Sequence, residues 1–298
     1  MKIAITGASG FVGTALARLL LDGGHVVTGL GTSGSHPLQS AAHFTWVSVD
    51  TTLAGTWQAA VGQADAVVNL TGRTIFKRWS RAYKAQIVDS RILTTRNVVS
   101  AMNGEDKILI STSAVGYYGS RGDQVLTEYS TPGADFIARL SVDWEEAALD
   151  AEKQGVRVAI MRFGVVLGAG GGALAQMLPV FRRFAGGPLG NGRQWFSWIH
   201  MVDLLAAIQF LLDHDNARGP YNFCAPGAVR QKDFARALGV AVGRPAVVPA
   251  PSLALRLMMG EVAGVLLASQ KVRPDRLIAD GFSFRFADVD SALADLVD

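Results

Sequence analysis

A single cysteine, Cys224, in 298 residues leaves no internal partner for a disulfide, so the fold must hold without one and a reducing compartment suits it. Charge is sparse too. Charged residues make up 18% of the chain and the formal net charge is +3, with the basic residues spread along the sequence rather than gathered on one helix. That pattern lacks the footprint of a nucleic-acid binder. Long apolar runs are missing. The most lipid-like stretch, LALRLMMGEVAGVLLA (253–268), is interrupted by Arg256, Glu261 and two glycines. It is also shorter than the roughly 20 apolar residues of a membrane span, so a buried or amphipathic helix is expected. The first residues read directly as a strand and leave no room for a signal peptide, which points to a cytoplasmic protein without a membrane partner. The five histidines (25, 36, 43, 200 and 214) are scattered, and none stands at ligand spacing from the cysteine, so no metal is expected.

What is present is apolar residue in short, regular blocks. With 49% hydrophobic residues the chain can bury a large core. Runs at about 2–6, 25–30, 44–49, 65–71, 107–112 and 156–161 are nearly continuous in apolar character, as strands covered on both faces must be. Helical patterns fall between them at about 11–23, 52–62, 79–102 and 135–154, with Asp135 placed as an N-cap. This alternation predicts βαβ units and a parallel sheet. After Arg162 the chain turns glycine-dense, and strand character resumes at WFSWIH (195–200), followed by a helix. We therefore expect a dinucleotide-binding part over 1–165, to which 196–223 returns, and a small substrate lobe from 166–195 and 224–298.

The N-terminal segment KIAITGASGFVG carries Gly7, Gly10 and Gly13 between a strand and a helix. A tight turn there needs glycine, a pyrophosphate needs close backbone approach, and the helix start offers N–H donors and the positive end of its dipole. Ser9, Phe11 and Val12 lie on the same turn. NAD-selective sites place an acid about 20 residues further on to hold the ribose. Here that segment offers Gly31, Thr32 and Ser33, so nothing repels a 2′-phosphate and two hydroxyls can bond one; NADP(H) is expected over NAD(H). Asp50 follows the third strand too late to be the ribose acid and is left for the adenine edge.

The succession TGASGFVG, VVNLTG, STSAVGYYG, RFGVVLG and SWIHMVDLLAAI resembles the extended short-chain dehydrogenase/reductase superfamily, home of the nucleotide-sugar epimerases and dehydratases. VDSR (88–91), SAVGYYG (113–119), DFIARLSVDWEEA (135–147), GGAL (171–174), SWIH (197–200) and the segment 260–286 resemble its atypical "epimerase family protein" branch, which carries a C-terminal domain of unknown function. The resemblance spans essentially the whole chain. It implies a Rossmann-type, doubly wound parallel sheet holding NADP(H), with a smaller C-terminal lobe closing over it. It also implies that Gly7, Gly10 and Gly13 line the diphosphate, that Asn69, Leu70, Thr71 and Gly72 pass beside the nicotinamide ribose, and that Ser113 faces the reactive ring. Ser111 and Arg162, near the ends of neighbouring strands, join the cofactor set. His200 and Asp203 belong to a shared strand-to-helix turn and are expected to pair.

One element of that superfamily is missing. Its active members use a tyrosine whose pKa is lowered by a lysine one helical turn later. Here Ile87, Arg121, Gly122, Gly133 and Ala225 stand four residues beyond the five tyrosines. Phe136 with Leu140, or Ile137 with Ser141, fall at the usual places. Tyr117 and Tyr118, on the loop leaving the serine strand, are the substitutes for the proton donor beside Ser113. Lys77 and Arg78 are candidates for an anionic substrate group, and Gln194, Trp195 and His200 for a binding loop with aromatic walls. Arg81 and Lys84 read as a solvated helix face, and Glu128 as a loop carboxylate. Three readings stay open: an oxidoreductase on a small carbonyl or hydroxyl substrate, a non-catalytic NADP(H) sensor or scaffold, and a nucleotide-sugar epimerase or dehydratase with an unconventional acid. Monomer and homodimer are equally compatible.

Overall fold

The computed structural model describes residues 1–297. A sheet of seven parallel strands forms its centre. These are β1 (Lys2–Thr6), β2 (Val26–Gly31), β3 (Phe44–Ser48), β4 (Ala66–Asn69) and β5 (Ile108–Ala114), joined beyond the short β6 (Val125–Leu126) by β7 (Arg157–Phe163) and, after β8 (Val165–Leu167), β9 (Trp195–Phe196) and β10 (Trp198–His200), by β11 (Gly219–Phe223). Their order across the sheet is β11-β7-β5-β4-β1-β2-β3. The chain leaves β1 for β2 and β3 on one side and returns for β4 on the other. The crevice at that reversal, outside the strand carboxyl ends, is where such sheets bind ligands.

Helices α1 (Phe11–Asp22), α2 (Gln58–Gln63), α3 (Arg81–Ala101) and α4 (Phe136–Leu149) connect these strands, and after α5 (Gly172–Arg182) comes α6 (Met201–Asp213). Both faces of the sheet are covered. One face buries Ile3, Ile5, Val68, Ile110 and Met161 under α1 and α6. The other buries Ala4, Val67, Leu109, Val158 and Ile160 together with Val98 and Val99 of α3 and Ala148 of α4. This double cover is why the strands read as unbroken apolar runs. The predicted helices hold with two changes at their ends. The second is confined to Gln58–Gln63, because Asp50 accepts from Thr52 N and Oγ1 and turns the chain first. The fourth ends at Leu149 and tightens into a 3₁₀ turn over Asp150–Gln154, closed by Gly155 at φ +81°.

WFSWIH is two strands. The break is at Ser197, whose hydroxyl donates to Gln270 O (2.6 Å) and accepts from Val272 N (3.1 Å). β10 pairs with β8 rather than with the large sheet, and β11 supplies the seventh strand there. The remaining elements are β12 (Val229–Arg230), which pairs with β9, β13 (Lys271–Val272), which pairs with β6, and helices α7 (Gln231–Ala241), α8 (Ser252–Met259), α9 (Val262–Leu266), α10 (Asp275–Ala279) and α11 (Val289–Leu296). A separate core of Leu174, Phe181, Trp198, Phe234, Leu238, Phe286 and Leu293 holds α5, α7 and α11 together. Cys224 is fully enclosed beside Val272, and burial pushes its thiol well up.

Two buried polar residues fasten the later elements to the sheet. Arg157 on β7 donates to Leu211 O, Leu212 O and Ala217 O, satisfying carbonyls in the last turn of α6 and in the loop that follows it. Asp203 in the first turn of α6 accepts from Arg285 N (2.7 Å) and Phe286 N (2.9 Å), tying down the C-terminal tail. Asp203→Ala strands two enclosed amides, and a loss of about 3 kcal/mol in unfolding free energy is expected, at 1.5–3 kcal/mol per hydrogen bond to a charged group less partial rescue by water. Urea denaturation followed by circular dichroism checks it; a midpoint equal to wild type would refute this role.

Candidate functional site

At the end of β1 the chain turns at Gly7 (φ +70°) and enters α1 at Phe11, with Gly10 as N-cap. The turn is closed by Gly10 N donating to Gly7 O (3.0 Å) and by Thr14 Oγ1 donating to Ala8 O (3.1 Å). A Cβ on Gly13 would lie 2.4 Å from Gly7 O and 2.7 Å from Ala8 Cα, so only glycine lets the helix pack this close to the strand. A Cβ on Gly7 would meet the Leu70 carbonyl at 3.0 Å. The α1 N-cap, Gly10, provides no side-chain acceptor, so the helix start keeps its free amides. Thr71 Oγ1, beside the turn, is buried without a partner. A cradle that any Cβ would fill, uncapped amides and an unpaired hydroxyl fit a dinucleotide's diphosphate and ribose.

The surroundings of the cradle are built with the same economy of space. Phe11, at the start of α1, is covered by the loop after β8, where a Cβ on Gly171 would fall 2.2 Å from its ring. Thr32 and Ser33 lie exposed just beyond β2, held by Trp46 Nε1 donating to Ser33 O (3.2 Å). Buried His36 spans this loop and the cradle: its Nδ1 accepts from Leu38 N and its Nε2 donates to Ala8 O (3.1 Å). Asp50 is exposed on the turn after β3 and engaged with Thr52. Asn69 is wholly buried, accepting from Thr6 Oγ1 and donating to Thr95 Oγ1 and Ser111 Oγ. Asn69 and Ser111 thus brace β1, β4, β5 and α3 from within.

Near the carboxyl ends of β5 and β7 lies a buried polar network centred on Arg162. Its Nε and Nη2 donate to the two oxygens of Glu145 at 2.8 and 2.7 Å, and Nη1 donates to Tyr118 Oη at 2.9 Å and to Glu128 O at 3.2 Å. Ser113, 1% exposed, donates to the same Glu145 (2.6 Å), and Tyr118, 0% exposed, donates to Asn222 Oδ1 (2.7 Å). Burial pushes the Tyr118 hydroxyl above the usual tyrosine range, outweighing the nearby guanidinium. Burial pulls Arg162 down, but the hydrogen bonds and charge of Glu145 more than reverse this. Ser113 and Arg162, both expected to face a ligand, are each engaged with Glu145 in this network. Tyr117 differs from its neighbour. Its ring lies 3.6 Å from the Arg162 guanidinium carbon, it is only partly buried, and its hydroxyl bonds no described residue. Glu128 is 4% exposed; one oxygen accepts from Asn222 N (3.0 Å) and Arg276 N (3.3 Å), while the other has no partner.

Residues 3–224 match the NAD dependent epimerase/dehydratase family, and residues 250–296 match a domain of unknown function, DUF1731. The chain belongs to that epimerase/dehydratase family. It is 41% identical over 298 residues to "Epimerase family protein SDR39U1 homolog, chloroplastic" of Arabidopsis thaliana, covering 98% of this chain and 86% of that protein. It is 38% identical to "Epimerase family protein SH2119" of Staphylococcus haemolyticus, covering 99% and 98%. The crystal structure of human epimerase family protein SDR39U1 (isoform 2) with NADPH superimposes with a TM-score of 0.87 at 31% identity, covering 100% of this chain and 99% of that one.

Within this family member, the other sequence candidates are dispersed. Lys77 and Arg78 are exposed on the loop before α3, and Lys84 in α3 pairs with Glu261 of the C-terminal domain (2.5 Å). Gln194 is buried and donates to Leu189 O, bracing its own loop. Trp195 Nε1 donates to Asp123, and its ring lies 4.1 Å from Arg230 and 4.3 Å from Lys271. His200 is enclosed at the start of α6: Nδ1 accepts from Val202 N, the ring stacks on Phe286, and burial lowers its pKa. Its carboxylate neighbour is Asp295 at 3.3 Å rather than Asp203, whose oxygens accept from the tail amides.

Two residues escaped the sequence reading. Glu145 sits in the DWEEA segment, where only its helical register drew notice. Arg91, the last residue of VDSR, packs under Gly72, donates to Arg73 O and Ile87 O, and has no carboxylate within salt-bridge distance among the described residues. Burial lowers its pKa to about 10.

Glu145→Ala leaves the Arg162 charge enclosed and unpaired, and a loss of about 3–5 kcal/mol in stability is expected; recovery by the double variant Glu145→Ala with Arg162→Met, read by thermal melting, checks that the lone charge is the cause. Burial, against the opposing backbone hydrogen bonds, raises the Glu128 pKa. Its stabilising contribution is therefore complete below the ordinary carboxylate range and lost as pH rises through the raised folded value. Glu128→Gln should flatten that loss in urea midpoints measured across pH; an unchanged slope would exclude it.

Proposed function

We propose that the chain binds NADP(H) and is an oxidoreductase of the short-chain dehydrogenase/reductase type, acting on a small carbonyl or hydroxyl compound. The observation that carries this is the glycine cradle, in which residue 13 admits no Cβ and α1 begins uncapped. The human relative crystallised with NADPH supports the phosphorylated cofactor. So does the absence of any carboxylate at Gly31, Thr32 and Ser33, where an acid would repel a 2′-phosphate.

The amides of Phe11, Val12 and Gly13 hold the diphosphate, with Ser9 at the turn; Thr32 and Ser33 hold the 2′-phosphate. Asp50 borders the adenine side. Leu70, Thr71 and Gly72 pass beside the ribose, with the Thr71 hydroxyl available to it. When bound, the nicotinamide supplies or accepts a hydride. Tyr117 gives or takes the proton at the substrate oxygen, because of the two tyrosines on the turn after β5 it is the one whose hydroxyl is uncommitted, and the Arg162 guanidinium on its face fixes the ring. Ser113, Glu145 and Tyr118 position that residue by anchoring Arg162 from beneath. Arg91 brings a fixed cation to the loop that borders the ribose.

A second reading, an NADP(H) sensor without turnover, is favoured by one observation: Ser113 and Tyr118 are both closed into the network. One experiment separates them. Calorimetry should show NADPH binding at least ten times tighter than NADH, and a screen of ketones, aldehydes and quinones should reveal NADPH oxidation. Tyr117→Phe should then lower kcat by 100-fold or more, within the range of general acid–base catalysis, with the NADPH affinity unchanged. Tight NADPH binding with no oxidation of any carbonyl would leave the sensor reading standing. Full activity in Tyr117→Phe would remove the proton assignment.

A further inference from the structure

Of the two arginines that anchor this end of the molecule, only one has a counter-charge. Arg162 on β7 directs the fork of Nε and Nη2 at the two oxygens of Glu145, at 2.8 and 2.7 Å. Arg91 on α3, which lies against Gly72 just past the end of β4, uses only Nη1, donating to Arg73 O and Ile87 O, both at 3.1 Å. Its Nε and Nη2 donate to no described residue, and neither nitrogen is sealed from solvent. With no acid to offset burial, the Arg91 pKa falls to about 10, whereas Glu145 raises that of Arg162. Both remain charged at neutral pH.

The open fork is held in place from several sides. The Arg91 carbonyl accepts from Thr95 Oγ1 (2.7 Å), and that hydroxyl accepts from Asn69 Nδ2 (2.8 Å) and Trp144 Nε1 (2.9 Å). The guanidinium carbon lies 5.1 Å from the centre of the Trp144 ring. At Gly72 a Cβ would fall 3.0 Å from that carbon and from Nη2, so glycine leaves the room the guanidinium occupies. The loop is fastened to α3 by Arg73 N donating to Ser90 Oγ (3.0 Å). Beside Gly72, Thr71 Oγ1 is buried with no partner. A cation without an acid, a fork without acceptors and an orphaned hydroxyl therefore meet at one point of the crevice.

We propose that Arg91 binds a carboxylate of the substrate, so that the compound turned over is an oxo acid or the corresponding hydroxy acid. The two oxygens of a carboxylate match the fork, as Glu145 does on Arg162. Its charge also supplies what the enclosed cation lacks, which a neutral diol or amide does not. Lys77 and Arg78, expected for an anionic group, are exposed and already solvated, whereas Arg91 is oriented in advance. In naming the charged group of the substrate, this rests on the oxidoreductase reading. The oxo carbon takes a hydride from NADPH and its oxygen a proton from Tyr117, giving the hydroxy acid and NADP⁺, while the carboxylate stays unchanged in the fork.

The test is calorimetry on the full chain in saturating NADP⁺, which supplies no hydride. The probes are pyruvate, acetoacetate and laevulinate, whose carboxylates stand progressively further from the oxo group, each titrated against its primary amide. At least one acid should bind about tenfold tighter than its amide or more, the gain of a charge-assisted fork over neutral hydrogen bonds. Arg91→Met should erase that preference and leave the amide's affinity as it was. Arg91→Lys, which keeps the charge but not the fork, should keep only part of it. No preference for any acid in wild type overturns the proposal, as does a preference that survives Arg91→Met. Should Arg91→Met not fold, a wild-type preference in Arg91→Lys overturns it instead. Weakened NADPH binding in Arg91→Met with the acid preference intact would assign the fork to the cofactor and also overturn it. If wild type binds neither NADP⁺ nor NADPH, the proposed function fails by itself, because the same titrations without cofactor still read the carboxylate site.

Discussion

The guanidinium of Arg162 is the group on which the site end of the molecule is assembled. It sits near the carboxyl end of β7 and bonds α4 through Glu145, the turn after β5 through Tyr118, and the following loop through Glu128 O. Each of those segments would otherwise bury polar groups with no partner, which is costly in a closed interior. A charge in that place is tolerable only because Glu145 faces it with both oxygens, and the pair in turn consumes the Ser113 hydroxyl. Through Tyr118 the network continues to Asn222 on β11, the strand that completes the sheet. One buried ion pair thus sets the relative positions of two sheet strands, a helix and the turn that bears Tyr117.

That arrangement explains how a chain without the tyrosine–lysine pair keeps an ordered crevice. Where active relatives of the superfamily are expected to place a lysine charge, α4 here presents the uncharged Leu140 or Ser141 and, further along, the carboxylate of Glu145. The positive charge comes instead from the sheet, through Arg162, and from α3, through Arg91. The aromatic hydroxyl left free is on the turn rather than the helix.

The C-terminal domain acts as a strap as much as a lobe. Its Glu261 pairs with Lys84 at the start of α3, Gln270 donates to the carbonyls of Val115 and Gly119 on the turn that carries Tyr117, and β13 extends β6. Residues more than 150 positions away thus hold the turn from above while Arg162 holds it from below. The stretch expected as a buried or amphipathic helix is helical at α8, and most of α8 stays exposed, Leu253, Leu257 and Met258 included. Among the described residues no helix is long and apolar enough to cross a membrane.

Local rules made the cradle and six of the seven strands of the large sheet legible. Three glycines at fixed spacing after a strand have one steric meaning, and strands buried on both faces must be apolar throughout, so short-range pattern carried that information. β11 was missed because a strand containing Gly219, Pro220 and Asn222 has little pattern of its own; its place depends on Glu128, Tyr118 and Arg273, which meet it only in the folded chain. The duties of Ser113, Tyr118, Arg162 and His200 were hidden for the same reason. A hydroxyl or guanidinium looks equally free in any sequence, and whether it meets a ligand or a buried partner depends on which distant residue arrives beside it. The amino-acid order alone determined a dinucleotide cradle on a parallel sheet, because backbone sterics are local. Only the tertiary structure decided which of Tyr117 and Tyr118 stays free and which charges meet a partner, because hydrogen-bond partners and charge neighbours are long-range.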